Sequence, residues 1–280
     1  MAERKRIAVL QFPGSNCEVE TARAVEAAGL QAEIFRWNRD PAELARFDGY
    51  ILGGGFSYQD RVRAGVIAAK EPILEVIVAA AAEGKPVLGI CNGAQILVET
   101  GLVPGVNDRA IDMALAPNRM VQGGRVVRRD YYCAWVYVKL SCLPERCLFT
   151  QTLPPKAVFP LPIAHGEGRF VTRREGLRER LWAQDQIVFR YCTPEGEVLP
   201  DFPVNPNGAV DNLAGLCNPA GNVLALMPHP ERASWLRQVP ADLPDHYGQR
   251  RREATGNWAA LEEPGPGRAL FEALKRFGEA

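Results

Sequence analysis

Pro86-Val87-Leu88-Gly89-Ile90-Cys91-Asn92-Gly93-Ala94-Gln95-Ile96-Leu97-Val98-Glu99-Thr100-Gly101 is the stretch that decides the fold. Its apolar opening, Pro86 to Leu88, reads as a buried strand, and Ala94 to Thr100 reads as a helix closed by Gly101. Between them, Gly89-Ile90-Cys91-Asn92-Gly93 places a cysteine inside a small-x-nucleophile-x-small pattern. Such a strand-to-helix turn is a nucleophile elbow, too tight for large side chains beside the nucleophile. The thiol then projects above the sheet edge at a helix N-terminus, where the free N–H groups and the dipole favour a thiolate. Most cysteines of a reducing compartment are small buried hydrophobes, and the other six of the seven here are read that way.

Working outward, the first hundred residues alternate strand and helix. Ile7 to Gln11, Ala32 to Trp37 and Tyr50 to Leu52 read as strands, the last running into Gly53-Gly54-Gly55. Cys17 to Ala28 reads as a helix closed by Gly29, and Val66 to Ala82 as a long apolar helix closed by Gly84. This order predicts an α/β fold, a mostly parallel open sheet flanked by helices on both faces. Ligands of such sheets bind beyond the carboxyl ends of the strands. Phe12-Pro13-Gly14, Gly53 to Phe56 and Cys91 are therefore expected on one rim.

From about Arg125 the character changes. Tyr131 to Leu140 alternates and is rich in β-branched and aromatic residues. Ala157-Val158-Phe159, Ile187 to Tyr191 and Val223 to Met227 read as further strands, so the second half adds antiparallel strands. His165-Gly166-Glu167-Gly168 reads as a loop. Residues 233–266, polar and rich in Pro, Gly and Arg, read as a surface excursion, and residues 268–277 as a terminal helix that docks back. The whole chain, 1–280, is expected to form one domain.

Composition narrows the function. The 33 basic and 33 acidic residues cancel, so no nucleic-acid partner is expected. No apolar run is long enough for a membrane span, and the basic-then-apolar start reads as a first strand, not a signal peptide. Seven cysteines without a CxxC pair argue against a disulfide framework or zinc ribbon and for a reducing cytoplasm. No metal site is expected.

A nucleophilic thiol needs a base, and the base an orienting partner. Of the three histidines, His246 lies in the polar excursion and His165 in the glycine-flanked loop. His229, in Met227-Pro228-His229-Pro230-Glu231, follows a strand directly and belongs on the Cys91 rim. The prolines hold that segment extended, and in an extended segment positions i and i+2 share a face. Glu231 is thus expected to fix the His229 tautomer. Acyl transfer also needs an oxyanion hole. The backbone N–H of Asn92 is one candidate donor, and the glycine run with Gly54 and Gly55 offers a second.

These strings resemble a known family. Cys91-Asn92-Gly93 with Pro228-His229-Pro230-Glu231 is similar to the class I, or triad, glutamine amidotransferases. More closely, the chain resembles the glutaminase subunits of phosphoribosylformylglycinamidine synthase. Phe12-Pro13-Gly14-Ser15-Asn16-Cys17, Gly54-Gly55-Phe56-Ser57-Tyr58, Arg63-Ala64-Gly65, His165-Gly166-Glu167-Gly168, Met227 to Arg232 and Leu270-Phe271-Glu272 carry that resemblance, in order, over most of the chain.

The resemblance implies Cys91, His229 and Glu231 as a catalytic triad. It further implies glutamine hydrolysis through a thioester, with the ammonia passed to a partner synthetase. That partner would use ATP and Mg2+ to make formylglycinamidine ribonucleotide, with a small bridging subunit in the complex. This chain itself has no GxxxxGK[ST] string and is expected to hold no cofactor. Gly54, Gly55, Asn92, Gln95, His165 and Glu167 are the oxyanion and substrate-side candidates, with Glu167 a candidate for the glutamine α-amino group. Cys17 is read as a buried cysteine at a helix start, and Arg61 and Arg63 as solvated or partner-facing.

Gln59, Ala94 and Ala134 depart from the family's usual glycine, phenylalanine and arginine. Residues 233–266 are longer than expected of the compact bacterial form. Competing readings are a stand-alone γ-glutamyl cysteine hydrolase on the same fold and a non-catalytic scaffold subunit. The purine-specific strings count against the first, and the intact Cys91, His229 and Glu231 against the second.

Overall fold

Short apolar runs of four to six residues bounded by turn residues fit strands buried on both faces. In the computed structural model, which describes residues 4–278, such runs form β1 (Arg6–Gln11), β3 (Gly49–Leu52) and β4 (Val87–Ile90), with β2 (Gln31–Arg36) at the sheet edge. Helices α1 (Glu18–Ala27), α2 (Pro41–Leu44), α3 (Ile73–Ala82) and α4 (Asn92–Glu99) connect and cover them. The first three and last two residues of the expected 1–280 span lie outside the described residues.

The predicted helix over 66–82 is broken. Ala68–Lys70 is a short 3-10 turn, Glu71 is extended, and α3 starts only at Ile73. Pro72 is the reason: its ring disfavours a helical Glu71, and it lacks an N–H to continue a preceding helix.

The second half contributes β5 (Ala114–Ala116), the hairpin β6 (Arg119–Gln122) and β7 (Arg125–Arg129), then β8 (Tyr132–Leu140), β9 (Val158–His165) and β10 (Arg169–Val171). Helix α5 (Leu177–Ala183) leads into β11 (Ile187–Cys192), β12 (Leu213–Cys217) and β13 (Val223–Leu226). The main sheet has nine strands in the order β2-β1-β3-β4-β13-β12-β11-β8-β9. Its β2-to-β13 part is parallel, and every pairing from β13 to β9 is antiparallel.

The expected fold class is therefore the observed one, with more strands than the sequence reading supplied. β9 corrects that reading most usefully. Ala157 to Phe159 was expected to give way to a loop, yet the strand runs on to His165 through Pro160 and Pro162. It survives them because β9 is an edge strand with only β8 beside it, so a missing N–H on its open side breaks no ladder bond.

Residues 233–266 are more than a polar excursion. They hold α6 (His246–Glu253) and α7 (Trp258–Leu261), and Leu236, Val239 and Ala254 form a buried satellite cluster against Trp135, Leu243 and Tyr247. Its apolar residues are too widely spaced to show a helical period. The terminal segment is α8 (Arg268–Glu272) followed by a 3-10 turn, Ala273–Arg276, instead of one helix over 268–277. Leu270, Phe271 and Leu274 are fully buried and fasten this segment to the core; each such side chain contributes about 1.5–3 kcal/mol.

Candidate active site

Strand register brings the thiol and the imidazole together. β13 lies parallel to β4 with Leu226 opposite Ile90, and the Cys91 N–H donates to the Leu226 carbonyl at 2.8 Å. Cys91 and His229 thus leave the carboxyl ends of adjacent strands. Cys91 has φ +51°, ψ −104°, outside the comfortable regions for an L-residue, and α4 starts at the next residue. The elbow closes only because its flanks lack side chains. A Cβ on Gly93 would lie 1.9 Å from the Leu52 carbonyl oxygen, and one on Gly89 2.6 Å from the Gly93 oxygen. The thiol is 5% exposed, and Sγ lies 3.8 Å from the Ala164 carbonyl of β9.

His229 Nδ1 and Glu231 Oε1 are 2.5 Å apart, both side chains buried. This leaves Nε2, which is buried with no hydrogen-bond partner among the described residues, available to the thiol. The His229 N–H donates to Pro162 at 2.8 Å, so β9 steadies the base as well as touching the nucleophile. Glu231 does not reach the ring along an extended chain as expected. His229 is extended, but Pro230–Ala233 is a 3-10 turn that folds the carboxylate back. Ser234 Oγ donates to the Pro230 carbonyl and Gln238 Nε2 to the Glu231 carbonyl, which fixes the turn. Burial alone would push the imidazolium pKa down; the Glu231 carboxylate, then the Cys91 sulfur, overcome it and hold His229 well above its usual value.

The glycine loop packs against the same ring. A Cβ on Gly54 would lie 2.7 Å from His229 Cε1 and 2.9 Å from Cys17 Sγ, so only glycine lets the base approach. The Gly54 carbonyl accepts from the N–H groups of Asn16 and Cys17, and Gly55 forms a bridge with Ser15. Beyond it, Tyr58, Gln59, Asp60 and Val62 all have positive φ, between +53° and +71°. Gln59, at φ +61°, therefore stands where a glycine would sit without strain, which accounts for the glycine usual in the resembling family. Burial and then the Glu167 charge push the Asp60 carboxyl up to about 6.

Asn92 and Gln95 act as a brace in this structure. Asn92 Oδ1 accepts from Ser57 N–H at 3.2 Å, Asn92 Nδ2 donates to Gln95 Oε1 at 2.8 Å, and Gln95 Nε2 donates to the Glu167 carbonyl at 2.7 Å. Glu167 Oε2 accepts from the Ala64 N–H at 3.3 Å. His165 ends β9, not a loop, and is buried. Burial, with His229 nearby, lowers its pKa to about 3, so it is a neutral ring, with Nδ1 3.2 Å from Asn118 Oδ1. Of the candidates, Asn92, Gln95 and Glu167 are linked to one another, Gly54 packs against His229, and His165 is tied to Asn118. Arg63 is exposed, as expected, and its guanidinium also forms a two-pronged ion pair with buried Glu99.

Sequence reasoning missed three neighbours. Cys17 is more than a helix-start cysteine. Its Sγ lies with a His229 ring nitrogen and a Glu231 oxygen in a group whose atoms are all within 4.8 Å of one another. Arg232 Nη2 donates to that sulfur at 3.1 Å and pairs with Glu20. Asn118 Nδ2 donates to the carbonyls of Asp130 and His165 and ties the β6–β7 hairpin to β9. The strings Asn16-Cys17 and Glu231-Arg232 were visible; that the start of α1 and the turn Pro230–Ala233 meet was not.

A thiol on an elbow, a buried imidazole–carboxylate pair on the next strand and a mostly parallel sheet beneath them are the architecture of the class I glutamine amidotransferases. The model of the CobB/CobQ-like glutamine amidotransferase domain matches residues 4–277. The chain is 50% identical over 274 residues to the phosphoribosylformylglycinamidine synthase subunit PurQ of Methanothrix thermoacetophila, covering 98% of each chain. It is 42% identical to the same subunit of Symbiobacterium thermophilum, covering 82% of this chain and 88% of that one. Among solved structures, PurLQS from Thermotoga maritima is similar at a TM-score of 0.69 and 29% identity, over 98% of this chain and 99% of that one. The chain belongs to the PurQ family of phosphoribosylformylglycinamidine synthase subunits.

Proposed function

We propose that this chain is the glutaminase half of the synthase, with Cys91 as nucleophile, His229 as base and acid, and Glu231 as the group that orients His229. The observation that carries the reading is the register of β4 and β13. It delivers Cys91 beside an imidazole already committed through Nδ1 to a carboxylate at 2.5 Å. The thiol proton passes to His229 Nε2, giving the imidazolium that Glu231 stabilises, and the Cys91 sulfur then attacks the glutamine carboxamide carbon. The tetrahedral oxyanion faces the Asn92 N–H, with the glycine run at Gly54 and Gly55 as the second source of donors. His229 then gives its proton to the departing ammonia, and water hydrolyses the γ-glutamyl thioester to glutamate.

Glu167 and Gln95 are the proposed substrate-side residues, reached across the short network that joins them to Asn92. The ammonia passes to an ATP-dependent synthetase subunit, and a small bridging subunit completes the complex. ATP and Mg2+ chemistry is assigned to that partner. The proposed compartment is the cytoplasm, the setting of the ATP-dependent partner chemistry; no helix of the described residues is long and apolar enough to cross a membrane.

The test is turnover of formylglycinamide ribonucleotide with ATP by the complex, comparing wild type and Cys91→Ala with glutamine or an ammonium salt as nitrogen source. Glutamine-dependent turnover should fall by about 10^3-fold or more, while ammonium-dependent turnover persists. Glutamine-dependent turnover that survives Cys91→Ala removes the nucleophile assignment. A wild-type chain that hydrolyses γ-glutamyl peptides and adds nothing to the synthetase favours the stand-alone hydrolase.

A further inference from the structure

The catalytic base has a second sulfur against it that the glutaminase reaction does not use. Cys17 is the residue before α1 and is 1% exposed, His229 is 2% exposed and Glu231 0%. One donor atom from each lies within 4.8 Å of the other two. Glu231 Oε2 is buried with no hydrogen-bond partner among the described residues, so the carboxylate has a free oxygen here. The Gly54 backbone, without a Cβ, leaves the sulfur and the Cε1–Nδ1 edge of the ring facing each other.

We propose that Cys17, His229 and Glu231 form a binding site for a thiophilic divalent cation of the Zn2+ class, and that its occupation switches the glutaminase site off. Thiolate and imidazole favour such an ion over harder cations, and a carboxylate oxygen is a ligand it also accepts. With bonds of about 2.3 Å to sulfur and 2.0–2.2 Å to nitrogen and oxygen, tetrahedral ligand atoms sit roughly 3.4–3.6 Å apart. The sulfur needs to close by about an ångström at most, and Glu231 Oε1, 2.5 Å from Nδ1, to open by about as much, to meet that spacing.

The charges suit the site. One thiolate and one carboxylate neutralise the ion, which a buried position demands, and the Arg232 guanidinium keeps its partner Glu20. Burial raises the Cys17 thiol pKa, while His229 and Arg232 oppose that rise, so the metal must displace the Cys17 proton.

The inhibitory consequence follows from proton counting. Binding releases the Cys17 S–H proton and the Nδ1 proton of the imidazolium. The metal takes the place of the proton between Nδ1 and Glu231 and leaves a neutral ring with its hydrogen on Nε2. That ring neither accepts the Cys91 proton nor readily protonates departing ammonia. Only this consequence rests on the functional reading above; the metal site itself does not.

The test uses the full-length chain and Co2+ as a spectroscopic probe. With Cys91→Ala, which removes the competing nucleophile, one equivalent of Co2+ should give a sulfur-to-cobalt charge-transfer band that Zn2+ displaces. Adding Cys17→Ser or Cys17→Ala should abolish the band and weaken binding by about 30-fold or more. No saturable band in Cys91→Ala, or an equal band without Cys17, overturns the proposal. In the complex, Zn2+ should inhibit glutamine-dependent but not ammonium-dependent turnover, and Cys17→Ser should raise the inhibitory concentration at least about tenfold. Equal inhibition in Cys17→Ser places the metal on Cys91 and also overturns it. The cobalt measurement needs neither glutamine nor a partner, so its failure is distinguishable from failure of the glutaminase reading.

Discussion

Two segments flank the Cys91 thiol, and they are built in opposite ways. On one side the elbow and α4 are packed to the limit. Every residue from Cys91 to Thr100 is buried, and the Gly93 backbone sits against Leu52 with no room for a methyl group. On the other side, residues 56–62 expose Phe56 and Val62 and carry four non-glycine residues at positive φ. Polar contacts hold that loop: Tyr58 N–H to Pro13, Tyr58 hydroxyl to Glu71, Ser57 N–H to Asn92. The nucleophile is over-determined by packing, whereas the loop beside it stores strain against a few hydrogen bonds. The chemistry therefore has one fixed wall and one that small changes can move.

The contrast breaks first at Gly93. Gly93→Ala must displace the Leu52 backbone, and we expect a loss of about 3 kcal/mol in denaturant unfolding. An unchanged midpoint would mean that the elbow wall yields and is not the rigid side. In the loop, the effect is one of pH. The folded-state pKa of Asp60 is raised, from 3.8 to about 6, so the folded chain holds this proton more tightly than the unfolded chain does. Stability contributed at this site is thus lost as pH rises from about 4 to about 6, because the ionised carboxylate is disfavoured where it sits. Asp60→Asn should flatten that fall and leave the variant the more stable at pH 7. Matching wild-type and variant melting profiles across the window would show that Asp60 is not strained by its surroundings.

The smallest effect belongs to Gln59, where Gln59→Gly relieves a left-handed conformation but frees the unfolded chain. The net change should be a gain within about 1 kcal/mol, with thermal unfolding as the measurement. A loss of that size would mean that the Gln59 side chain, which accepts from Arg61, holds the loop more firmly than its backbone strains it.

The rigid side was also the legible side. Gly89 to Gly93 announces an elbow because the turn needs missing side chains. The βα alternation before it announces a parallel sheet because strands buried on both faces must be uninterrupted runs. The second half was harder. β9 hides behind Pro160 and Pro162, and it is tolerable only because it lies at an edge, a fact of strand order that no local pattern encodes. β12 is five residues long and includes Gly215, and its pairing with β11 and β13 is set by partners tens of residues away.

The same division holds at the site. Local spacing singled out Cys91, His229 and Glu231, because an elbow and a post-strand His-x-Glu are short-range patterns set by sterics and chain direction. It did not supply the way Glu231 reaches the ring, through the turn at Pro230–Ala233. Nor did it place Cys17 and Arg232 behind the base, the Ala164 carbonyl beside the thiol, or Asn118 at the foot of the hairpin. Those neighbours come from elements separated by tens to hundreds of residues, and their meeting depends on how the sheet orders its strands. The sequence by itself determined which residues have the chemistry and on which kind of element each sits. Only the tertiary structure decided which of them meet, because register and strand order are set by the packing of the whole sheet and not by any one segment.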